Sequence, residues 1–482
     1  MARRSSQSES SEVFDNVLES LAKGTDFKLS SNSNVLTERP KVRTPIEALN
    51  CILGGGLPFG TVAQSYGPPK VGKSTWMYQM LGIFQKTYPN GVAMVIDMEA
   101  SADGERISYL GVDTSKLLRL PATSIESGFL QLMKVLENKQ QSDQLKDVPV
   151  FVIWDTISKG LAQDGSTQSR LNAMDRARII KNYMSPVMAQ IEKQDFILCL
   201  LNQVIYKTDS YGNQKMDSGG GIALKHDVHF STRITPAGDE WNGNFKIKTK
   251  SAICIDKSKL GPEMSNIPMI IDNQEGGIID EVRSFFDYVL NLGFINNSKG
   301  WYNFNDLLSR EQLNPFYFII ANRNKSYRYD DILRLFREDK LIYNIFRYLL
   351  MEFLASMFKL QAKVMSSYKS ECLAEIREDY DPPELYLQDN EDKINEVLEN
   401  LKKNNTTYSI LLENLDNAED KAICLDCGAI IDNLSPCNQC GSNLVVTRDT
   451  AKKLIDRLNS ETSNNDINVD TEKENSDEEI TE

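Results

Sequence analysis

The stretch Gly67–Thr75, GPPKVGKST, constrains this chain more than any other. The pattern G-x-x-x-x-G-K-[ST] needs a strand before it and a helix after it, because backbone N–H groups and a helix N-terminus must converge on one anion. Both are legible: GTVAQSYG reads as a strand and KSTWMYQMLGIFQKT as a helix. A nucleotide phosphate there would meet Gly67, Lys70, Val71, Gly72, Lys73, Ser74 and Thr75. Pro68 and Pro69 have no N–H to offer, so the cradle falls to residues 70–75. Lys73 is expected at the β and γ phosphates of ATP, and Ser74 on Mg²⁺.

Strands and helices keep alternating from that point. GVAMVIDME, VPVFVIWDT and DFILCLLNQ are near-continuous apolar runs, separated by helical patterns in IESGFLQLMKVLENK and RARIIKNYMSPVMAQIEK. Such runs belong to strands covered on both faces, so the expected fold is α/β, a mostly parallel sheet with helices on both sides. HFSTRITP, NFKIKTKSAICIDKSK and IPMIIDN follow with no helix between them and predict an antiparallel extension at the sheet's edge. Asp155 and Glu99 close two of the buried runs, beside the phosphate loop. Asp155 is placed to order Mg²⁺, and Glu99 to take the proton of an attacking water. Leu201 is followed by Asn202, Gln203 and then a polar stretch over 204–218 that carries Tyr206, Lys207, Tyr211 and Lys215 and ends at Gly219–Gly221. An ordinary connection is shorter, so this one is either filler or a contact surface.

The remaining chain divides by composition. Residues 1–43 hold a helical pattern, with Val13, Val17, Leu18 and Leu21 on one face, and a polar linker. Residues 44–275 form the core, 276–365 a small α+β C-terminal domain, and 366–420 a charged helical segment interrupted by DPPE. Residues 421–446 carry CLDCGAIIDNLSPCNQCG, a C-x₂-C-x₉-C-x₂-C pattern in which Cys424, Cys427, Cys437 and Cys440 read as the ligands of a structural Zn²⁺ ribbon. Cys51, Cys199, Cys254 and Cys372 read as small buried hydrophobes. Residues 447–482 end in an acidic tail: 460–482 holds nine acids and one lysine, so −8 of the net −14 lies there and 1–459 carries −6. The tail is expected to be disordered and solubilising, or else to act as a nucleic-acid mimic that competes within the chain. With no apolar run of about 18–20 residues and no apolar leader after MARRSSQSESSEVF, no membrane contact is expected and the chain should work in the cytoplasm.

Taken together, LGGGLPFGTVAQSYGPPKVGKST, VIDMEASADGERISYLGVD, IWDT, LLNQ, GGIALK and DKSK resemble the RecA-type DNA recombinases in order and spacing, over about residues 12–305. The resemblance implies a homo-oligomeric, head-to-tail helical filament on single-stranded DNA, with ATP between subunits, that pairs it with double-stranded DNA. It implies that 1–43 is the polymerisation arm and Glu99 the catalytic glutamate. Gln203 would sense the γ-phosphate, and Lys257 and Lys259 would reach a neighbour's ATP. Asp103 matches a residue near the adenine, and Arg106 stands where the family has an aromatic over it. A first DNA loop is implied within 158–175 and a second at 204–218, disordered without DNA. Arg178, Lys207 and Lys215 would contact phosphates, Tyr206 or Tyr211 would stack on bases, and Gly220 and Gly221 would lie on the same path. Ile205 replaces a usual arginine and His226 a usual interface aromatic. The ribbon and the helical stretch before it are additions, which points to a phage or mobile-element version acting in the host cytoplasm. Two other readings share these motifs: a RecA-fold helicase or loader, and a DNA-binding regulator that does not hydrolyse ATP.

Overall fold

The computed structural model describes residues 39–460, apart from 99–102, 121, 158–172, 209–213, 220, 265, 311–313, 390 and 419. The proposed polymerisation arm, the first DNA loop up to residue 172 and the acidic tail from 461 lie outside the described residues. Contacts divide the chain into two compact units. The first comprises residues up to Thr44, Gly56–Ile234 and Ile255–Glu263; the second comprises Pro45–Gly55, Thr235–Cys254 and Met264 onward.

The first unit is built on strands β1 (Thr61–Gly67), β2 (Val92–Asp97), β3 (Leu117–Leu120), β4 (Val150–Asp155), β5 (Phe196–Thr208), β6 (Gln214–Ser218) and the start of β7 (Phe230–Asn242). Their order is β7-β1-β5-β4-β2-β3, with β6 folded back on β5. Every pair in that row is parallel; only β5 with β6 is antiparallel. All six residues of β4 are buried, and their alternation explains why. Phe151 turns to one face, 5.5 Å from the ring of Phe84 on the helix Lys73–Thr87. Trp154 turns to the other, 4.8 Å from Phe129 on the helix Ile125–Gln141. That second face forms a core with Val152, Leu132, Met184, Val187, Leu198 and Leu200, closed by the helix Ala173–Ile191. The helix at 125 starts where it does because Ser124 and Ser127 cap each other reciprocally, each hydroxyl accepting the other's backbone N–H at 3.0 Å. The expected α/β sandwich is therefore present, and Cys51, Cys199, Cys254 and Cys372 are all buried.

In the second unit, β8 (Phe245–Ser258) pairs antiparallel with β9 (Ile267–Asp272) over 248–253 and 267–272, as the helix-free run of strands predicted. Helices Glu281–Asn291, Tyr329–Glu338, Lys340–Met357 and Lys359–Arg377 follow. The helical stretch from Tyr329 to Arg377 is broken at Asp339, whose carboxylate caps Ile342 N–H at 3.1 Å, and again at Phe358, which is extended. The short helix Glu47–Leu53 belongs to this unit through a buried ion pair. Glu47, 0% exposed, accepts from Arg347 Nε and from the Tyr368 hydroxyl, each at 2.7 Å. Arg347 also donates to Glu375 at 2.6 Å and Asn344 at 2.9 Å, so the guanidinium is paired where it is buried. Further on, the helices Glu391–Lys403 and Asn405–Leu415, a three-stranded ribbon and a helix over 448–460 share one apolar core that includes Leu398, Leu411, Ile423, Val446 and Leu454.

Candidate functional site

The phosphate loop leaves β1 at Gly67, where space is tight: a Cβ would sit 2.4 Å from the carbonyl oxygen of Ile234. Lys70 takes a left-handed φ of 65°, and Gly72, at φ 91°, turns the chain into the helix that Lys73 opens. A left-handed turn ahead of a helix N-terminus aims successive N–H groups into one concavity, the geometry of an anion cradle. Val71 and Thr75 are buried beneath it. Lys73 Nζ donates to the carbonyl of Pro68 at 2.7 Å, holding the ammonium over the loop. Ser74 Oγ donates to Asp155 Oδ2 at 3.3 Å, so the two groups expected to share Mg²⁺ already meet. Asp155 pairs in register with Asp97 at the end of β2, two residues before Glu99. Glu99 itself lies outside the described residues. The oxygen-rich pair Ser74 and Asp155 suits a hard cation that keeps several waters.

Gln203 is paired in register with Gly67, the first residue of the loop. Where a loop disordered without DNA was expected over 204–218, the described residues 204–208 and 214–218 are paired antiparallel: β5 runs on to Thr208 and β6 lies against it. Pairing sets Tyr206 against Met216, Lys207 against Lys215 and Ile205 against Asp217. The departure has a physical cause. Val204, Ile205, Tyr206 and Thr208 are β-branched or aromatic and favour an extended, paired backbone over a coil. Asn202 closes the hairpin's base: its side chain, buried completely, donates to Gly219 O at 2.7 Å and accepts Gln203 N–H at 2.9 Å. Tyr206 is 56% exposed on the described arm. Tyr211 and Gly220 lie outside the described residues, as do the side chains of Lys207 and Lys215. Gly221 opens the short helix Gly221–Asp227, and Arg178 is exposed on the helix Ala173–Ile191.

Lys257, near the end of β8, donates to the carbonyls of Lys225, at 2.9 Å, and His226, closing the last turn of that short helix. Burial and then the neighbouring Lys259 lower its pKa. Asp103 caps the helix Gly104–Tyr109, accepting Glu105 N–H at 3.0 Å, and Arg106 on it is exposed. Two groups escaped the reading of the sequence. One is Asn202, whose only sequence signal is a polar residue directly after an apolar run. The other is a cluster behind the loop, in which the Asp256 carboxylate accepts from Arg233 Nε and Nη2, each at 3.0 Å, and from the hydroxyl of Tyr66. Burial first, then Asp256, raises the Tyr66 pKa well above that of a free phenol.

The four ribbon cysteines converge as their spacing predicts. Their sulfurs lie within 4.8 Å of one another, with Cys424 to Cys440 and Cys427 to Cys437 each 3.6 Å. Four thiolates about 2.3 Å from a tetrahedral Zn²⁺ would stand about 3.8 Å apart, so the donor set and its size fit that ion. Gly428 and Gly441 N–H groups bond back to Cys424 and Cys437 carbonyls at 2.8 Å, giving two like knuckles.

A glycine-rich loop between a buried parallel strand and a helix, with Lys73 above it and Ser74 joined to Asp155 beside it, defines a P-loop nucleotide-binding protein. The family model for the RecA N-terminal domain matches residues 11–277, more than half of the chain, and the chain belongs to the RecA family. Among curated relatives it is 25% identical to Protein RecA of Cytophaga hutchinsonii over 61% of this chain and 79% of that protein. It is 26% identical to Protein RecA of Rhizobium etli over 59% and 76%, and 24% identical to that of Arthrospira platensis over 64% and 82%.

Proposed function

We propose that the chain is a DNA-dependent ATPase that assembles as a helical filament on single-stranded DNA and exchanges strands with homologous double-stranded DNA. The observation that carries this reading is the pairing of Gln203 with Gly67. One backbone step joins the phosphate loop to the hairpin on which Tyr206 is exposed. In this reading Lys73 holds charge at the β and γ phosphates and Ser74 and Asp155 hold Mg²⁺, which when bound offsets the charge that develops on the transferred phosphate. Glu99 takes the proton of the attacking water. Arg106 stacks its guanidinium plane on the adenine, near Asp103. Lys257 and Lys259 reach the ATP of the next subunit. Arg178, Lys207, Lys215, Tyr206, Tyr211, Gly220 and Gly221 line the DNA path. Cys424, Cys427, Cys437 and Cys440 hold a structural Zn²⁺. Among the described residues no helix is long and apolar enough to cross a membrane, and we place the activity in the cytoplasm, the host's if the gene is carried by a phage.

ATP turnover with and without oligo(dT), beside electron microscopy in a slowly hydrolysed ATP analogue, tests the reading. DNA-stimulated turnover and open helical filaments are expected, with turnover down at least about 100-fold in Lys73→Ala. Closed rings would favour a helicase or loader. Turnover indifferent to DNA would overturn the assignment.

A further inference from the structure

Among the described residues, Lys225 is held from both the hairpin and the strand that carries Lys257. Asp217, the last but one residue of β6, is 8% exposed. Its carboxylate accepts Ser218 N–H at 2.8 Å and forms an ion pair with Lys225, on the short helix that follows. The backbone carbonyl of the same Lys225 takes Lys257 Nζ. Lys225 is thus held at its side chain by the DNA hairpin and at its main chain by the interface lysine. Lys257 follows Asp256 on β8, and Asp256 binds Tyr66, the residue before Gly67. Asp217 also contributes to raising the Tyr66 pKa, so the two acids share one field at the root of the phosphate loop.

We propose that the Asp217–Lys225 ion pair is the positioning contact that transmits the state of hairpin 204–218 to Lys257. A shift of β6 moves Asp217 and draws Lys225 with it. The last turn of helix Gly221–Asp227 follows, and Lys257 rests on the carbonyls of that turn. DNA on the hairpin and nucleotide at the phosphate loop then bias one two-state element, which is what coupling between two sites requires. The inference rests on the reading of the chain as a DNA-dependent ATPase.

The test is a thermodynamic cycle on the full chain: the affinity of a fluorescent oligo(dT), with and without a slowly hydrolysed ATP analogue, gives a coupling ratio. Asp217→Asn and Lys225→Gln should each cut that ratio at least about fivefold, and analogue affinity with and without DNA should change by the same factor, since linkage is reciprocal. Lys225→Arg, which keeps the charge, should retain it. Exchanging the two charges, Asp217→Lys with Lys225→Asp, should restore it. A contact that only staples the fold would lower the melting temperature of both single variants while leaving the ratio alone. Parental ratios in Lys225→Gln, or a charge exchange as uncoupled as the single variants, would overturn the inference. A parent chain whose ratio is one would instead remove the ATPase reading beneath it.

Discussion

At the residue scale, His229 is one of two histidines in the chain and is 1% exposed. Val62 N–H donates to its Nδ1 at 3.1 Å, so the ring proton sits on Nε2, 2.8 Å from Glu192 Oε1. Protonating Nδ1 would break the bond to Val62 and place a cation inside the sheet. Burial accordingly lowers the His229 pKa, against the opposing pull of Glu192. With the folded pKa below the unfolded value of about 6.5, the unfolded chain binds more protons in the window beneath it. Stability from this residue is full above that pH and falls as pH drops through it. Melting temperature between pH 7.5 and 5.5 should therefore decline in the parent. His229→Gln should be less stable at pH 7.5 and show a shallower decline. Equal slopes would show that His229 does not carry the effect. The placement of Lys73, Ser74 and Asp155 at the phosphate loop could be read from one motif and one strand end, since residue types at fixed spacing carry it. Asp217 and Asp256 could not, because their partners depend on which strands become neighbours.

At the element scale, the hairpin β5–β6 joins two jobs. Gln203 starts it beside Gly67, and Asn202 locks its base to Gly219. An amide at 203 that bonds in the γ-phosphate environment only when ATP is present would order the first hairpin residues in advance and lower the entropy DNA binding must overcome. Gln203→Ala is expected to keep ATP binding and lose most DNA stimulation of turnover, a drop of about fivefold or more. Tyr206→Ala should instead weaken DNA binding by about 1–3 kcal/mol, the worth of one stacked base, with stimulation kept at saturating DNA. Turnover against oligo(dT) concentration separates the two, one variant changing the plateau and the other the midpoint. The sequence located this element, since a mostly polar stretch of fifteen residues, 204–218, after a buried strand is an unusual connection. Its shape differs from the expectation: the resemblance implied a loop disordered without DNA, whereas the described residues 204–208 and 214–218 continue the pairing of β5.

At the scale of the whole molecule, the family match ends at residue 277 and the chain continues to 482. The continuation carries its own core, in which ribbon residues Ile423 and Val446 pack with helix residues Leu398, Leu411 and Leu454. If the four cysteines hold Zn²⁺ as proposed, the ribbon staples the helices around it, and removing the metal should melt that core. One zinc per chain is expected by metal analysis, lost in Cys427→Ser with Cys437→Ser. In the variant a separate low-temperature transition should appear while ATP turnover persists, because the phosphate loop lies in the other compact unit. Loss of turnover together with zinc would show that the core requires the ribbon. Zinc-free protein prepared without chelator would remove the metal assignment.

What the sequence determined alone is what short-range pattern can encode. A phosphate loop is consecutive residues, a buried strand is a run of apolar residues, and the four-cysteine ribbon is two close pairs of cysteines. Those readings needed no knowledge of neighbours. Tertiary structure decided what depends on strand order and register: Gln203 lies beside Gly67 only because β1 pairs with β5. Glu47 finds Arg347 300 residues away only because the helix Glu47–Leu53 folds with the second unit. Lys225 joins Asp217 to Lys257 for the same reason. The free energy of a buried ion pair or a strand pairing depends on what surrounds it, and no local run of residues carries that information.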